Sequence, residues 1–524
     1  MSDIYEQKRI DYIRQLHQSP VRLVLALTGG GSLAAADLLS VPGASQTVIG
    51  VFMPYSKEAL VRYIGSVPGQ YCSGQTARSM AAIAFHHARR VAFMHLLRSG
   101  GALIDNPIQP RSTDISHDID THFLEHSKRS THSKLLKALK QGEPDDLDPY
   151  FDIIAVGCTA SLSTDREKRG NLCIHIALQT LRRTMLFSLQ LQKGARTRLE
   201  EERLCGDFIL NAVASIRQAV EKSPFSKPVP RTKNYCTNNN SSGSDNTGSN
   251  NADNNTADNA EETLCCEAFD DASTDEMPLV EVIPLQLKNG ETVHGQQQVG
   301  SLSLVELFYG NLRGVLWHQG MIQHFIPRSS AEQETIEGGF NAHAEYMQAV
   351  FPGSFNPIHH GHLEMLAIAE KRLQSRAVLE LSIRNADKPP LDYIELDNRL
   401  KIIKAVNANL PVWLTQTPLF EDKADLFRGA TFIVGADTLR RFADLRFYHE
   451  NIHQLQDVLR RITYRQCRFI VFPRRTARGM ESMETLEMPD MLRSLCDEIS
   501  VSDFSMDISS SEIRNSVFQK ISGQ

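Results

Sequence analysis

The sequence has no apolar run that approaches the roughly 18–20 residues needed to cross a membrane. Its first residues, MSDIYEQKRIDYIRQL, are charged throughout and do not contain the apolar core of a secretory signal. The nine cysteines include no CxxC pair, so neither a disulfide framework nor a zinc knuckle is recognisable. These absences predict an intracellular protein with reduced thiols, no membrane segment and no metal site.

An excess of positive charge is also missing. The chain has 56 Lys and Arg against 62 Asp and Glu, a net charge of −6, so no overall positive field draws it to nucleic acid. Its 524 residues are 41% hydrophobic and 23% charged, an ordinary composition for a globular protein. That length predicts about three domain-sized units, or two with insertions.

An asparagine-rich stretch marks the clearest boundary in the chain. Residues 238–260 contain nine Asn and no side chain larger than Ala that could enter a core. Such a segment cannot offset the entropy lost on ordering by burying apolar surface. We therefore expect a disordered linker over residues 223–276, which follows a structured unit at residues 1–222.

Both units alternate short apolar runs of strand length with helical patterns, which predicts βαβ units and parallel sheets. In the first unit, a strand at Val21–Leu27 leads into a glycine-rich loop, and the polar residues 101–150 are expected to form a surface insertion. Beyond the linker, residues 277–345 are expected to be a small connecting segment before a domain at 346–524. The prediction is an α/β protein of two domains.

The strongest motif is the segment VFPGSFNPIHHGH at residues 350–362. A strand ends at Gly353, and His359 and His362 then lie three residues apart at the start of a helix, so both project to one side. The N–H groups and dipole at such a helix end attract phosphate. Two imidazoles there can donate hydrogen bonds to phosphate oxygens, and Gly361 allows a nucleotide to approach the backbone.

Two later motifs follow in the same unit. The apolar run that ends at Gly435 delivers the carboxylate of Asp437 to the end of a strand, where open α/β sheets bind ligands. Further on, Ser510 and Ser511 can cap a helix and leave N–H groups for an anion, while Arg514 adds a bidentate phosphate donor.

Together, GSFNPxHxGH, GADT and ISSSEIR resemble the HxGH nucleotidyltransferase superfamily. Within it the chain is most similar to the nicotinamide/nicotinate mononucleotide adenylyltransferases, whose late motif ISSTxIR differs here by Ser511 for Thr. The resemblance covers about residues 346–522. It implies a Rossmann-like parallel sheet that transfers an adenylyl group from ATP, with Mg²⁺ as cofactor, to a pyridine mononucleotide, giving NAD or its acid form and pyrophosphate.

That resemblance also implies roles for individual residues. His359 and His362 are the catalytic pair that contacts the ATP phosphates. The implied nucleotide-binding positions are Gly353, Ser354, Phe355, Gly361, Lys388, Gly435, Asp437, Ser510, Ser511 and Arg514.

Two other functions remain open at this point. One is nucleotidyl transfer to another acceptor of the same superfamily, such as phosphopantetheine, or from CTP to an alcohol phosphate. The other is a protein without catalysis, whose two modules bind or sense pyridine nucleotides.

The first unit carries a second resemblance. Its segments VPGAS at 41–45 and PYSKEAL at 54–60 are similar to the C-terminal domain of the competence-damage-inducible protein A family, which includes nicotinamide mononucleotide deamidases. The resemblance aligns Thr28 with the family's nucleophilic Ser under a gapless count, or Ala26 when the TGG letters are matched, and Leu60 with its Lys.

Because a leucine cannot activate a hydroxyl nucleophile, we expect no deamidation by this unit. We expect instead that its loop binds a mononucleotide or a related phosphate through Thr28, Gly29, Gly30 and Tyr55. His122 and His126 in the insertion have i,i+4 spacing, but HFLEH is not a zinc motif and no metal is expected there.

Overall fold

The computed structural model describes residues 2–99, 153–165, 170–221, 267–268, 277–310, 312–327, 346–384, 389–476 and 479–504. These residues form a six-stranded sheet, a nine-stranded sheet and a two-stranded ribbon, with helices packed on the larger sheets. The predicted fold class, two α/β domains, is confirmed. Among the described helices, none combines the length and the apolar character that a membrane span requires.

Helices are numbered here in chain order. They are α1 (Ser2–His17), α2 (Ser32–Ser40), α3 (Ala44–Thr47), α4 (Lys57–Ile64), α5 (Gly74–Ser99), α6 (Arg198–Glu221), α7 (Leu302–Tyr309), α8 (His360–Leu373), α9 (Tyr393–Val406), α10 (Phe420–Leu426), α11 (Ala436–Ala443), α12 (Ile452–Tyr464) and α13 (Asp490–Ser494).

Strands are numbered in the same way. They are β1 (Arg22–Thr28), β2 (Val48–Phe52), β3 (Ile153–Ser161), β4 (Leu172–Gln179), β5 (Arg183–Leu191), β6 (Glu267–Ala268), β7 (Val293–Val299), β8 (Leu312–His318), β9 (Met321–Pro327), β10 (Ala349–Pro352), β11 (Ala377–Ser382), β12 (Val412–Thr415), β13 (Thr431–Gly435), β14 (Arg468–Phe472), β15 (Arg474–Thr476), β16 (Gly479–Glu481) and β17 (Cys496–Glu498).

The first sheet has the order β2-β1-β3-β4-β5-β7. Strand β1 pairs in parallel with both β2 and β3, and the remaining pairs are antiparallel. Strand β1, which is flanked by strands on both sides, is buried along Leu23–Leu27, which explains its nearly continuous apolar sequence. Helix α5 packs on one face of this sheet and α6 on the other, so each face has its own apolar core.

The second sheet has the order β17-β14-β13-β10-β11-β12-β8-β9-β6. Strands β10 to β14 and β17 are parallel, while β8, β9 and β6 continue the sheet in antiparallel fashion. The chain winds outward from β10 through β11 to β12, then returns to place β13 on the other side of β10. Open α/β sheets bind ligands at such a point, beyond the carboxyl ends of the strands.

The described part of the segment 277–345, which is expected to connect the two domains, contributes strands to both sheets. Its strand β7 pairs with β5 in the first sheet, while β8 pairs with β12 in the second. Each strand supplies backbone hydrogen-bond partners to the otherwise unpaired edge of a different sheet. A local sequence pattern does not predict such a pairing. A Cβ on Gly295 would lie 2.1 Å from the carbonyl oxygen of Met277, so glycine is needed for this close approach.

Two predicted segments fall mostly outside the described residues. Of the expected linker at 223–276, only Glu267 and Ala268 are described, and they pair with β9 as the short strand β6. The expected insertion at 101–150, with His122 and His126, lies entirely outside the described residues.

Candidate active site

The loop between β10 and α8 is shaped by an aromatic ring. The N–H of Gly353 donates to the carbonyl of Glu380 at 2.9 Å, which ties the loop to the end of β11. A Cβ on Gly353 would lie 2.6 Å from the buried ring of Phe355, so only glycine leaves room for that ring. Phe355 itself adopts φ +42°, and the loop then leads to His359 at the N-terminus of α8.

His359 and His362 stack against each other at this helix end. Their ring centroids are 3.7 Å apart with an interplanar angle of 31°. The backbone N–H of His359 donates to Nδ1 of His362 at 3.2 Å, which makes Nδ1 an acceptor and assigns the ring proton to Nε2. The two predicted catalytic side chains therefore lie together, as the three-residue spacing requires.

The environment keeps His362 uncharged. Burial, then the neighbouring His359 and Arg474, lowers the pKa of His362 to about 3. The rings of Phe351 and Phe355, with centroids 5.7 and 5.3 Å from that of His362, form the apolar side of its surroundings. At neutral pH His362 thus offers one N–H donor rather than a positive charge.

A carboxylate lies at the end of the adjacent strand. Asp437 is in the first turn of α11, directly after Gly435 at the end of β13. A Cβ on Gly435 would lie 2.6 Å from Oδ1 of Asp437, so the carboxylate folds back over the glycine. The Nε of Arg474 is 3.8 Å from the same oxygen. Arg474 therefore brings a cation close to both Asp437 and His362.

Since β10 and β13 are parallel neighbours, these groups share one edge of the sheet. The structure brings together there, from the positions predicted by sequence, Gly353, Ser354, Phe355, His359, Gly361, His362, Gly435 and Asp437. The other four predicted positions, Lys388, Ser510, Ser511 and Arg514, lie outside the described residues, so their roles stay predictions.

A cleft of 340 Å³ opens at Gly353 and Ser354, in the loop that leads to the histidines, while His359, His362 and Asp437 are not among the residues that line it. It runs from the ends of β10 and β11 to helix α11, and a buried ion pair lies in its wall, with Nζ of Lys423 2.7 Å from Oε2 of Glu380. The side chains that line the remainder combine polar and aromatic groups, including Ser354, Arg384, Arg441, Phe442, Phe447 and Tyr448. A cleft of this kind can accept an anionic ligand that carries a flat ring.

Arg78 of helix α5, in the first unit, is linked to the GSFNP loop of the second unit through Glu395. Nε of Arg78 is 3.1 Å from Oδ2 of Asp392, and its Nη2 is 3.2 Å from Oε2 of Glu395. The other oxygen of Glu395 accepts from Nδ2 of Asn356, in the GSFNP loop, at 2.9 Å. Arg399 pairs with the same oxygen of Glu395. A continuous set of ion pairs and hydrogen bonds therefore links the two units at the candidate site.

Sequence reasoning missed Arg78 and Arg474 for different reasons. Arg78 and Asp392 are 314 positions apart, and no local pattern predicts their pairing. Arg474 did have a signal, because it follows the buried strand β14 at the carboxyl edge where ligands bind.

The predicted loop of the first unit also lines a cavity, of 390 Å³, which includes Thr28, Gly29, Gly30 and Tyr55. Its helix end is already occupied by a carboxylate of the protein. Oε1 of Glu202 accepts from the N–H of Ser32 at 2.6 Å and from its hydroxyl at 2.7 Å.

Two further contacts bear on chemistry in this cavity. The hydroxyl of Thr28 donates to the carbonyl of Pro54 at 2.9 Å, and Nη2 of Arg198 donates to the carbonyl of Gly29 at 2.9 Å. Leu60 is buried in the apolar core between β1 and α5. The position that aligns with a catalytic lysine is therefore part of the packing.

Comparison with known proteins places the second unit in a superfamily. Residues 350–516 match the cytidylyltransferase-like family. The C-terminal domain is a nucleotidyltransferase-like domain. A phosphopantetheine adenylyltransferase of Deinococcus radiodurans is 38% identical over 65 residues, which are 12% of this chain and 38% of the relative. The chain thus spans well under half the length of that curated relative.

A likeness to a solved structure also exists. The competence/damage inducible protein CihA from Agrobacterium tumefaciens aligns at 15% identity over 41% of this chain and 96% of its own, with a TM-score of 0.25. A likeness at that score supports no conclusion about fold or function.

Proposed function

We propose that the C-terminal domain transfers an adenylyl group from ATP to the phosphate of nicotinamide or nicotinate mononucleotide. The observation that carries this proposal is the stacked pair His359 and His362 at the start of α8, beside Asp437. The superfamily match supports nucleotidyl transfer in general. The preference for ATP and a pyridine acceptor rests on the resemblance of the motifs GSFNPxHxGH and ISSSEIR.

In this reaction an oxygen of the acceptor phosphate attacks the α-phosphorus of ATP, and pyrophosphate leaves. No covalent enzyme intermediate is required, so the protein contributes alignment and neutralisation of charge. The Nε2–H of neutral His362 and the N–H groups of α8 donate to phosphate oxygens, while Arg474 offers positive charge. Asp437, at the strand end, suits the hydroxyls of a ribose.

Mg²⁺ fits this site as a partner of the triphosphate. Magnesium in such enzymes keeps several waters and is held by one or two carboxylates together with the substrate phosphates. Asp437 is a partly exposed carboxylate at the strand end that could serve, although it also faces Arg474. When bound with ATP, the ion would neutralise charge on the phosphates.

The aromatic side of the cleft supports a flat acceptor. Phe442 and Tyr448 lie with ring centroids 6.4 Å apart, and Phe447 is 37% exposed beside them. A pyridine ring can stack on such faces, and the mononucleotide's phosphate can meet Arg384 or Arg441 on the polar side.

Phosphopantetheine is the second candidate acceptor, because a phosphopantetheine adenylyltransferase is among the relatives. The deciding assay supplies the full chain with Mg²⁺, either ATP or CTP, and one acceptor at a time from a panel. Products are resolved by chromatography. We expect a dinucleotide only with ATP and a pyridine mononucleotide. Dephospho-coenzyme A as the main product would assign the other acceptor, and no product with any pair would favour a sensing protein.

For the first unit, we propose binding without deamidation. Leu60 is buried in the core, and the hydroxyl of Thr28 donates to the carbonyl of Pro54 rather than to a basic side chain. Incubation of the full chain, which keeps β7 in the first sheet, with nicotinamide mononucleotide should release no ammonia, while calorimetry should report binding that Tyr55→Ala weakens. Ammonia release that Thr28→Ala abolishes would overturn this proposal.

A further inference from the structure

Strand β4 and the turn before helix α5 bring two cysteines and a histidine together. Cys173 and His175 are two residues apart on β4, so they share one face of the sheet. Cys72, just before α5, lies against that face with its Sγ 3.6 Å from Sγ of Cys173. The ligand atoms of Cys72, Cys173 and His175 all lie within 4.8 Å of one another.

We propose that Cys72, Cys173 and His175 bind a soft divalent cation such as Zn²⁺. Two thiolates and an imidazole are the ligands that zinc prefers. With Zn–S bonds of about 2.3 Å and tetrahedral angles, two sulfur ligands lie about 3.8 Å apart. The observed sulfur separation of 3.6 Å is close to that value, so side-chain rotation suffices to complete the site.

The surroundings support a ligand role for the histidine. Oγ of Ser188 is 2.8 Å from Nδ1 of His175, from the directly paired position of β5. Histidine ligands are ordinarily oriented by a hydrogen bond at the nitrogen that does not bind the metal. All three residues are partly accessible, so an ion can reach them from solvent.

The chemistry of the thiols gives the site a pH dependence. A cysteine thiol ordinarily has a pKa of about 8.5, and zinc binds the thiolate form. Binding of the cation must therefore displace protons from sulfur, and affinity should fall as the pH is lowered.

The proposed cation site lies near the cavity of the first unit. Thr159 of β3 pairs with Thr28 on one side and with His175 on the other. With neighbouring strands about 4.8 Å apart, His175 is about 10 Å from Thr28, at the same end of the sheet as the first unit's cavity. A cation held by three protein ligands keeps a fourth position for water or a ligand.

A second pair of cysteines provides a matched control. Sγ of Cys158 and Sγ of Cys205 are 3.7 Å apart, almost the same distance, but both residues are fully buried. Among the described residues, this pair has no third metal ligand in reach. If sulfur proximity alone were enough, both pairs would bind a cation.

The test uses the full chain carrying Cys265→Ser and Cys266→Ser, because that adjacent pair in the sequence could itself take up metal. The reduced protein is stripped with chelator and titrated anaerobically with Co²⁺, a spectroscopic substitute for zinc. We expect one equivalent to bind with thiolate-to-cobalt absorption, and Zn²⁺ to displace it. Cys72→Ser and His175→Gln should each weaken binding at least about 100-fold, whereas Cys158→Ser should bind as the parent does.

Circular dichroism on each variant separates lost ligands from lost folding. The proposal is overturned if the reduced parent shows no thiolate-to-cobalt absorption, or if folded Cys72→Ser binds cobalt as tightly as the parent. It is equally overturned if Cys158→Ser abolishes binding while Cys72→Ser retains it.

Discussion

In both α/β units a parallel strand leads into the N-terminus of a helix. The two units differ in the side chains that lie at that helix end. In the first unit, Glu202 accepts from the N–H and the hydroxyl of Ser32 at the start of α2. In the second, two imidazoles lie at the start of α8, and the first turn of that helix contains no acidic residue. One helix end already holds a carboxylate, whereas the other presents hydrogen-bond donors.

This difference is electrostatic. The N-terminus of a helix attracts an anion through its dipole and its N–H groups, and a protein carboxylate satisfies both. A phosphate that enters the first cavity must therefore approach the charge of Glu202. At α8 the first turn contains no acidic residue, and Arg474 adds positive charge near His362. A βα turn thus predicts a possible anion site, and the residues brought to it from elsewhere determine whether an anion binds.

The largest effect should follow from removing the imidazoles. We expect His359→Ala or His362→Ala to lower adenylyl transfer by about 100- to 1,000-fold, because each removes a preorganised donor worth roughly 2.7–4 kcal/mol. Single-turnover kinetics with ATP and nicotinamide mononucleotide measure this. The exposed His453 on α12 gives a control, His453→Ala, that should keep full activity. Turnover near that of the parent in both site variants would contradict the proposed function.

The contrast between the two helix ends could be predicted only in part. The strand, Gly353 and the start of α8 are local in sequence, so the motif alone gave their placement correctly. Glu202 lies 170 positions from Ser32, and Arg78 lies 314 from Asp392. Contacts of that separation depend on how helices pack across sheets, and no periodicity or short motif encodes them.

The cysteines also show that contacts between residues far apart in the sequence are not predicted by short motifs. Cys72 and Cys173 are 101 positions apart, without the close spacing that identifies a metal site in a sequence. The absence of a CxxC pair in the sequence argues only against a zinc knuckle. It did not exclude a site assembled from β4 and the turn before α5.

A second, smaller effect concerns pH. The pKa of His362 is about 3 in the folded protein, against about 6.5 for an unperturbed histidine. Below pH 6.5 the unfolded chain takes up a proton that the folded one does not, so stability falls as the pH drops from 6.5 towards 3. Between pH 7 and 5 this costs about 2 kcal/mol.

Denaturant unfolding at pH 7 and pH 5 measures that cost. Because a glutamine side chain does not titrate, His362→Gln should lose about 2 kcal/mol less than the parent over this interval. His453→Gln, on the exposed surface, serves as the matched variant and should behave as the parent does. Equal losses in the parent and His362→Gln would show that this imidazole is not held neutral.

Removing the ion pairs of Arg78 that link the two units should have a more modest effect on the KM for ATP. Arg78 reaches the GSFNP loop only through Glu395, so we expect Arg78→Ala to loosen that loop and raise the KM for ATP about tenfold, or ~1.4 kcal/mol. Arg78→Lys keeps the charge and should recover part of the loss. Arg14→Ala, on the exposed face of α1, should leave KM unchanged. A KM unaffected by Arg78→Ala in a folded protein would mean that the two units act independently.

The smallest effect tests the first helix end directly. Glu202→Gln keeps an oxygen for the N–H of Ser32 but removes the negative charge, so the first cavity should bind nicotinamide mononucleotide about 2- to 5-fold more tightly, or ~0.3–1 kcal/mol. Glu200→Gln, on the exposed face of the same helix, is the matched control. Both variants keep the same C-terminal site, so a difference between their calorimetric titrations arises at the first cavity. Identical titrations would show that the charge of Glu202 does not limit binding in the first cavity. The difference between the two helix ends would then depend on the histidines of α8 alone.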